Sequence, residues 1–185
     1  MLSEKLKKGI IEQVEAFEYK FQKYNLEGLL KIVEESEFNF YMAKLKGPMG
    51  MANFNGVYLD MDKIKSKSWM GCSEYLFSTI LHELAHMKRM KKIGKKKIIE
   101  YFSATNFEDL YNHVLYEEML ADRYACIMFY KLNKRILNVS YTQSLHVEYN
   151  RERIKYNSRN VFGLIKNDES KYDEFAKFMI KEILE

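Results

Sequence analysis

Apolar residues recur at spacings of three and four through residues 3–24, where Leu6, Ile10, Val14, Phe17, Phe21 and Tyr24 share one face. That period reads as an amphipathic helix, with Ser3 placed to cap its start. A second, shorter helix follows at 26–35. The period then changes: 38–45 (FNFYMAKL) is aromatic and weakly alternating, GPMG at 47–50 is a turn signal, and 51–60 (MANFNGVYLD) reads as a further strand in which Gly56 permits a bulge. Together they predict a β-hairpin or small antiparallel sheet over 38–60. Helical spacing returns at 73–92, with Ser73 as N-cap and Glu74 in the first turn. A loop or broken helix covers 93–106, and a long helix runs from about Phe107 to Lys131. After a polar break at 133–140, two more helical patterns appear near 142–165 and 170–184, the last with Phe175, Phe178, Met179 and Ile183 on one side. The fold class is therefore α+β and mainly helical.

One Pro and eight Gly in 185 residues suit long helices better than a turn-rich all-β fold, and 47% hydrophobic residues are enough to build a core. The 14 Tyr and 12 Phe are expected to pack that core. A net charge of +4, from 30 basic and 26 acidic residues, is too mild to imply nucleic acid by itself. Cys72 and Cys126 do not make a disulfide framework and fit a reducing compartment. The first twenty residues carry acidic groups throughout and lack the apolar run of a signal peptide, and no segment reads as a membrane span. A cytoplasmic location is the expectation.

The chemistry concentrates in HELAH at 82–86. On a helix, His82 and His86 project from one face one turn apart, so both imidazoles can bind one zinc ion. Glu83 lies beside them, positioned to act on water rather than to ligate. Phe77, Ile80, Leu81, Leu84 and Ala85 surround the pair, so the helix is expected to be buried. Buried polar groups need partners, and a metal would supply them. Two core histidines satisfied by hydrogen bonds are the plainer alternative. A catalytic zinc takes three protein ligands and leaves one position open. The segment 114–125 (VLYEEMLADRYA) can supply the third, because Glu118 and Asp122 share a helical face with Val114, Ala121 and Ala125. Glu118 would ligate, and Asp122, one turn on, would accept the free ring N–H of a ligand histidine. Glu117 is the rival ligand, but the residue four positions on is Ala121, which can orient nothing.

HELAH followed by Glu118-Met119-Leu120-Ala121-Asp122 resembles the gluzincin branch of the zincin metallopeptidases; the third histidine of the metzincin pattern is missing. Within the gluzincins the chain looks like the compact ImmA/IrrE-like peptidases, on the strand GVYLD (56–60) shortly before the HExxH helix and the ExxADxxA string after it. The likeness spans roughly residues 54–126. It implies a single zincin-like domain over 1–185, with N-terminal helices at 1–36, a catalytic core at 37–131 and C-terminal helices at 132–185. It also implies one Zn2+ per chain and a protein or peptide substrate inside the cell, a DNA-binding regulator being typical of that family. In the mechanism it implies, Glu83 takes a proton from the zinc-activated water. The strand at 54–60 could hold the peptide by strand addition. Candidate oxyanion donors are His146, His113, Tyr116, Tyr141 and Arg151, with His146 preferred for its Tyr- and Arg-rich surroundings.

Residues 88–97 (KRMKKIGKKK) hold seven basic residues in ten. A solvated loop just past the HExxH helix, with some cations suiting the dipole at the helix C-terminus, explains them better than a patch for nucleic acid, an anionic surface or an acidic protein partner. The competing function is a basic nucleic-acid- or protein-binding module in which HExxH is structural or accidental. Cys126, two turns after Glu118, is expected to be a buried apolar residue rather than a ligand.

Overall fold

The computed structural model describes residues 3–18, 24–68, 74–102, 107–135 and 137. The expected helices at 142–165 and 170–184, the Ser73 cap and Cys72 lie outside the described residues. The described part is mainly helical with one small sheet, an α+β arrangement.

Helix α1 (Glu4–Glu18) starts where the Ser3 hydroxyl accepts the Leu6 N–H at 3.3 Å, and it buries Leu6 and Ile10 completely. Helix α2 (Leu26–Glu35) is capped by Asn25, whose side chain accepts the Gly28 N–H at 2.8 Å. Its apolar face buries Leu29 and Val33.

The sheet departs from the expected antiparallel hairpin. Strands β1 (Phe40–Met42), β2 (Gly50–Asn53) and β3 (Gly56–Leu59) stand in the order β1-β3-β2. β3 pairs antiparallel with β2 and parallel with β1, so the sheet is mixed. The segment 51–60 is thus not one strand but a tight hairpin. Asn53 Oδ1 accepts the Asn55 N–H at 2.8 Å, turning the chain into Gly56. Gly56, at φ 150°, makes a close approach rather than a bulge: a Cβ there would lie 2.4 Å from the Asn39 carbonyl oxygen. Asn55-Gly56 is the turn signal that a strand reading passes over. GPMG at 47–50 instead ends a loop, with Gly50 opening β2.

A helix absent from the sequence reading, α3 (Met61–Ser68), follows directly. Asp60 caps it, its Oδ1 accepting the Lys63 N–H at 3.2 Å.

Helix α4 (Glu74–Ile93) runs through the middle, with every residue from Leu76 to Ala85 buried. It ends at Gly94, whose φ of 88° and N–H bond to the Met90 carbonyl at 2.9 Å form a helix-terminating turn. Helix α5 (Lys95–Phe102) restarts beyond it, so the expected loop or broken helix is a broken helix as far as Phe102, and 103–106 lie outside the described residues. Helix α6 (Phe107–Asn133) packs along α4, while β2, β3 and α3 pack against other sides of α4. Phe77 of α4 meets Phe129 of α6 edge-on at a ring-centroid distance of 5.8 Å, and Tyr24 lies 5.5 Å from Phe77. All three rings belong to the buried core.

Candidate metal centre

α4 presents His82 and His86 from one face, their Nε2 atoms 3.0 Å apart. α6 brings Glu118 against them. Its Oε2 lies 3.0 Å from His82 Nε2 and its Oε1 3.5 Å from His86 Nε2. A tetrahedral ion with bonds of about 2.0–2.1 Å sets its ligand atoms about 3.3 Å apart, so these separations fit one divalent cation. His82, His86 and Glu118 each offer a ligand atom, all within 4.8 Å of one another, and the group could hold a metal ion.

Three further observations bear on that fit. Among the described residues, Glu118 Oε2 is buried without a properly aimed hydrogen-bond donor, although His82 Nε2 is close. A buried acceptor left so costs stability, on the order of 1–3 kcal/mol, unless something else binds it. Asp122, only 2% exposed, lies 2.9 Å from His82 Nδ1, which directs Nε2 toward the group. Beside the group opens a cavity of about 600 Å³, lined by His82, Glu83, His86 and Glu118 together with Met49, Met90 and Val114.

The charges are tightly coupled. Burial disfavours a charged His82 ring, yet the Glu118 and Asp122 carboxylates outweigh it and hold its proton affinity well above that of an ordinary imidazole. Burial would raise Glu118, but the His86 and His82 rings pull it far below the usual carboxylate range. Glu83 goes the other way: burial raises it, and the nearby imidazoles and the Ala52 N–H only partly offset that rise. A carboxyl held above its ordinary range suits a proton carrier.

Packing places Glu83 just as closely. A Cβ on Gly50 would lie 2.7 Å from Glu83 Cγ and 2.6 Å from Thr79 Cγ2, so only glycine lets β2 approach α4 this far. Gly50 is a site residue that the sequence reading assigned to a turn. A lone glycine opening a strand, as a mark of close backbone approach, was the available signal.

The structure brings Glu118, not Glu117, to the histidines. Glu117 is also buried, but both its oxygens accept from Arg89 Nε at 3.2 Å. His146, Tyr141 and Arg151 lie outside the described residues. His113 and Tyr116 do not line the cavity, and Arg89 stands over the Tyr116 ring at 5.8 Å. In the basic run, Lys88 donates to the Tyr124 hydroxyl at 2.8 Å and Arg89 serves Glu117, so part of that charge is structural. Cys126 is buried, and burial with the nearby Asp122 carboxylate pushes its thiol up to about 12, as expected of an inert core residue.

No family model, curated protein or solved structure matches the chain. No helix among the described residues is long and apolar enough to cross a membrane.

Proposed function

We propose that this protein is a zincin-like, zinc-dependent endopeptidase that hydrolyses peptide bonds of a protein substrate. The observation that carries the reading is the convergence of His82, His86 and Glu118 from two helices, with ligand atoms within 4.8 Å, at the edge of a cavity that also exposes Glu83. Two imidazoles and one carboxylate are a donor set that suits zinc. When bound, the cation supplies Lewis acidity, which polarises a carbonyl and makes water nucleophilic near neutral pH.

The chain's own residues do the rest. Asp122 holds the His82 ring by its Nδ1 side. Glu83 takes the proton of the attacking water and passes it to the leaving amine. β2, rather than the 54–60 strand, is the edge strand that borders the cavity and so suits a peptide. β3 is flanked by β1 and β2 on both sides, whereas β2 pairs only with β3 among the described residues and lines the cavity with Gly50, Met51 and Ala52. A DNA-binding regulator as substrate and action inside the cell belong to this proposal through the family likeness. The competing basic-module reading is weakened by the internal engagement of Lys88 and Arg89.

The test is metal analysis of the purified chain, then digestion of denatured casein by wild type and Glu83→Gln. One zinc per chain in both proteins, with proteolysis reduced roughly 10²–10⁴-fold in the variant, is expected. Undiminished proteolysis by Glu83→Gln would exclude the mechanism, and a chain that takes up no zinc would exclude the class.

A further inference from the structure

Residues 43–49, between β1 and β2, form one wall of the cavity beside the metal group: Lys44, Leu45, Lys46, Pro48 and Met49 all line it. The segment has no strand or helix of its own. Ordering such residues costs backbone entropy, so the wall needs bonds from elsewhere to keep a shape.

Those bonds come from one place, the β3–α3 junction. The Ala43 N–H donates to the Leu59 carbonyl at 3.0 Å, and the Asp60 N–H donates to the Met49 carbonyl at 2.8 Å, closing the two ends. The Leu45 N–H donates to Asp60 Oδ2 at 2.9 Å. Lys63 secures the middle. Its ammonium donates to the Leu45 carbonyl, and the Gly47 and Pro48 carbonyls lie 3.4 and 3.5 Å away. Asp60 Oδ2, 3.6 Å away, balances its charge. Three carbonyl dipoles therefore turn their negative ends on one cation. Without it they would repel one another, and the loop would relax outward. Lys63 is not itself among the cavity-lining residues.

We infer that Lys63, seated on Asp60, is a positioning residue that holds the 43–49 wall in the shape a peptide ligand binds against, without touching ligand or metal. The peptide character of the ligand rests on the peptidase reading above; the clamp itself does not.

The experiment uses the zinc-loaded full chain and two probes. Acetohydroxamate engages the metal alone, whereas a leucine-containing dipeptidyl hydroxamate also lies along the wall. Lys63→Met is expected to weaken the dipeptidyl probe about tenfold while leaving acetohydroxamate affinity and zinc content unchanged. Lys63→Arg, which keeps the charge, should recover part of the loss. Hydrogen exchange of the Leu45 amide adds a readout independent of metal: slow in wild type and accelerated in Lys63→Met. Equal dipeptidyl affinity in wild type and Lys63→Met overturns the inference, as does a Leu45 amide that exchanges freely in wild type, even if the variants fail to fold. A wild-type chain that binds neither zinc nor either probe overturns the peptidase reading instead, and Leu45 protection still reports on the clamp.

Discussion

Asp122 and Arg89 divide two adjacent glutamates between different tasks. Asp122 lies against His82 and so aims that ring at Glu118, while Arg89 occupies both oxygens of Glu117. Glu118→Ala should therefore lower zinc occupancy at a fixed chelator concentration, whereas Glu117→Ala should retain zinc and lose stability instead, by about 1–3 kcal/mol, because Arg89 loses its partner. Zinc titration and thermal unfolding of the two variants separate these outcomes. Asp122→Ala should weaken zinc binding about 10–100-fold, read by competition with a fluorescent chelator. Gly50→Ala tests a contact of another kind. Its methyl group would press on Thr79 and Glu83, so proteolysis should fall while zinc stays bound. Unaltered turnover in Gly50→Ala would mean that β2 does not set the Glu83 position.

At the level of elements, the helices were largely readable. The amphipathic face of α1, the bounds of α2 and the course of α4 and α6 follow from a 3.6-residue period and local caps, which short windows of sequence contain. The sheet was not. Strands of three or four residues carry too few alternations to show their register, and nothing local says that β1 pairs parallel with β3. α3 has no clear signal in the pattern, because Asp60, its cap, also closes the strand-like run 51–60. That carboxylate yields a pH prediction. Burial alone would raise its pKa, but the Leu45 and Lys63 N–H groups and the Lys63 ammonium outweigh burial and lower it. A folded pKa below the unfolded value of about 3.9 means stability that is present above that value and lost as pH falls through the folded pKa. The unfolding midpoint should thus drop more steeply below about pH 4 in wild type than in Asp60→Asn, and parallel profiles would contradict this.

For the whole molecule, a bound ion would join α4 to α6 through His82, His86 and Glu118, beside the Arg89–Glu117 and Lys88–Tyr124 contacts of the same two helices. Anything that binds the folded chain alone stabilises it by mass action, about 2.7 kcal/mol at a hundredfold excess over its dissociation constant. Stripping metal with a chelator should lower the unfolding temperature of wild type and leave Glu118→Ala nearly unmoved, as calorimetry can show. Equal shifts in both would place the ion elsewhere.

Sequence by itself determined whatever lies within a turn or two of chain. It sets His82, Glu83 and His86 on one helix, sets Glu118 and Asp122 four apart, and puts Leu6 and Ile10 on one apolar face, because helical geometry is local and periodic. Tertiary structure alone brought Glu118, which the Asp122 spacing already favours over Glu117, against the histidines, and it alone decided that β3 sits between its neighbours, that Gly50 admits β2 to Glu83, and that Lys63 supports the cavity wall. Each of these depends on which faces meet across long stretches of chain, such as the 40 residues between His82 and Asp122, and packing chooses those faces only when the whole core assembles.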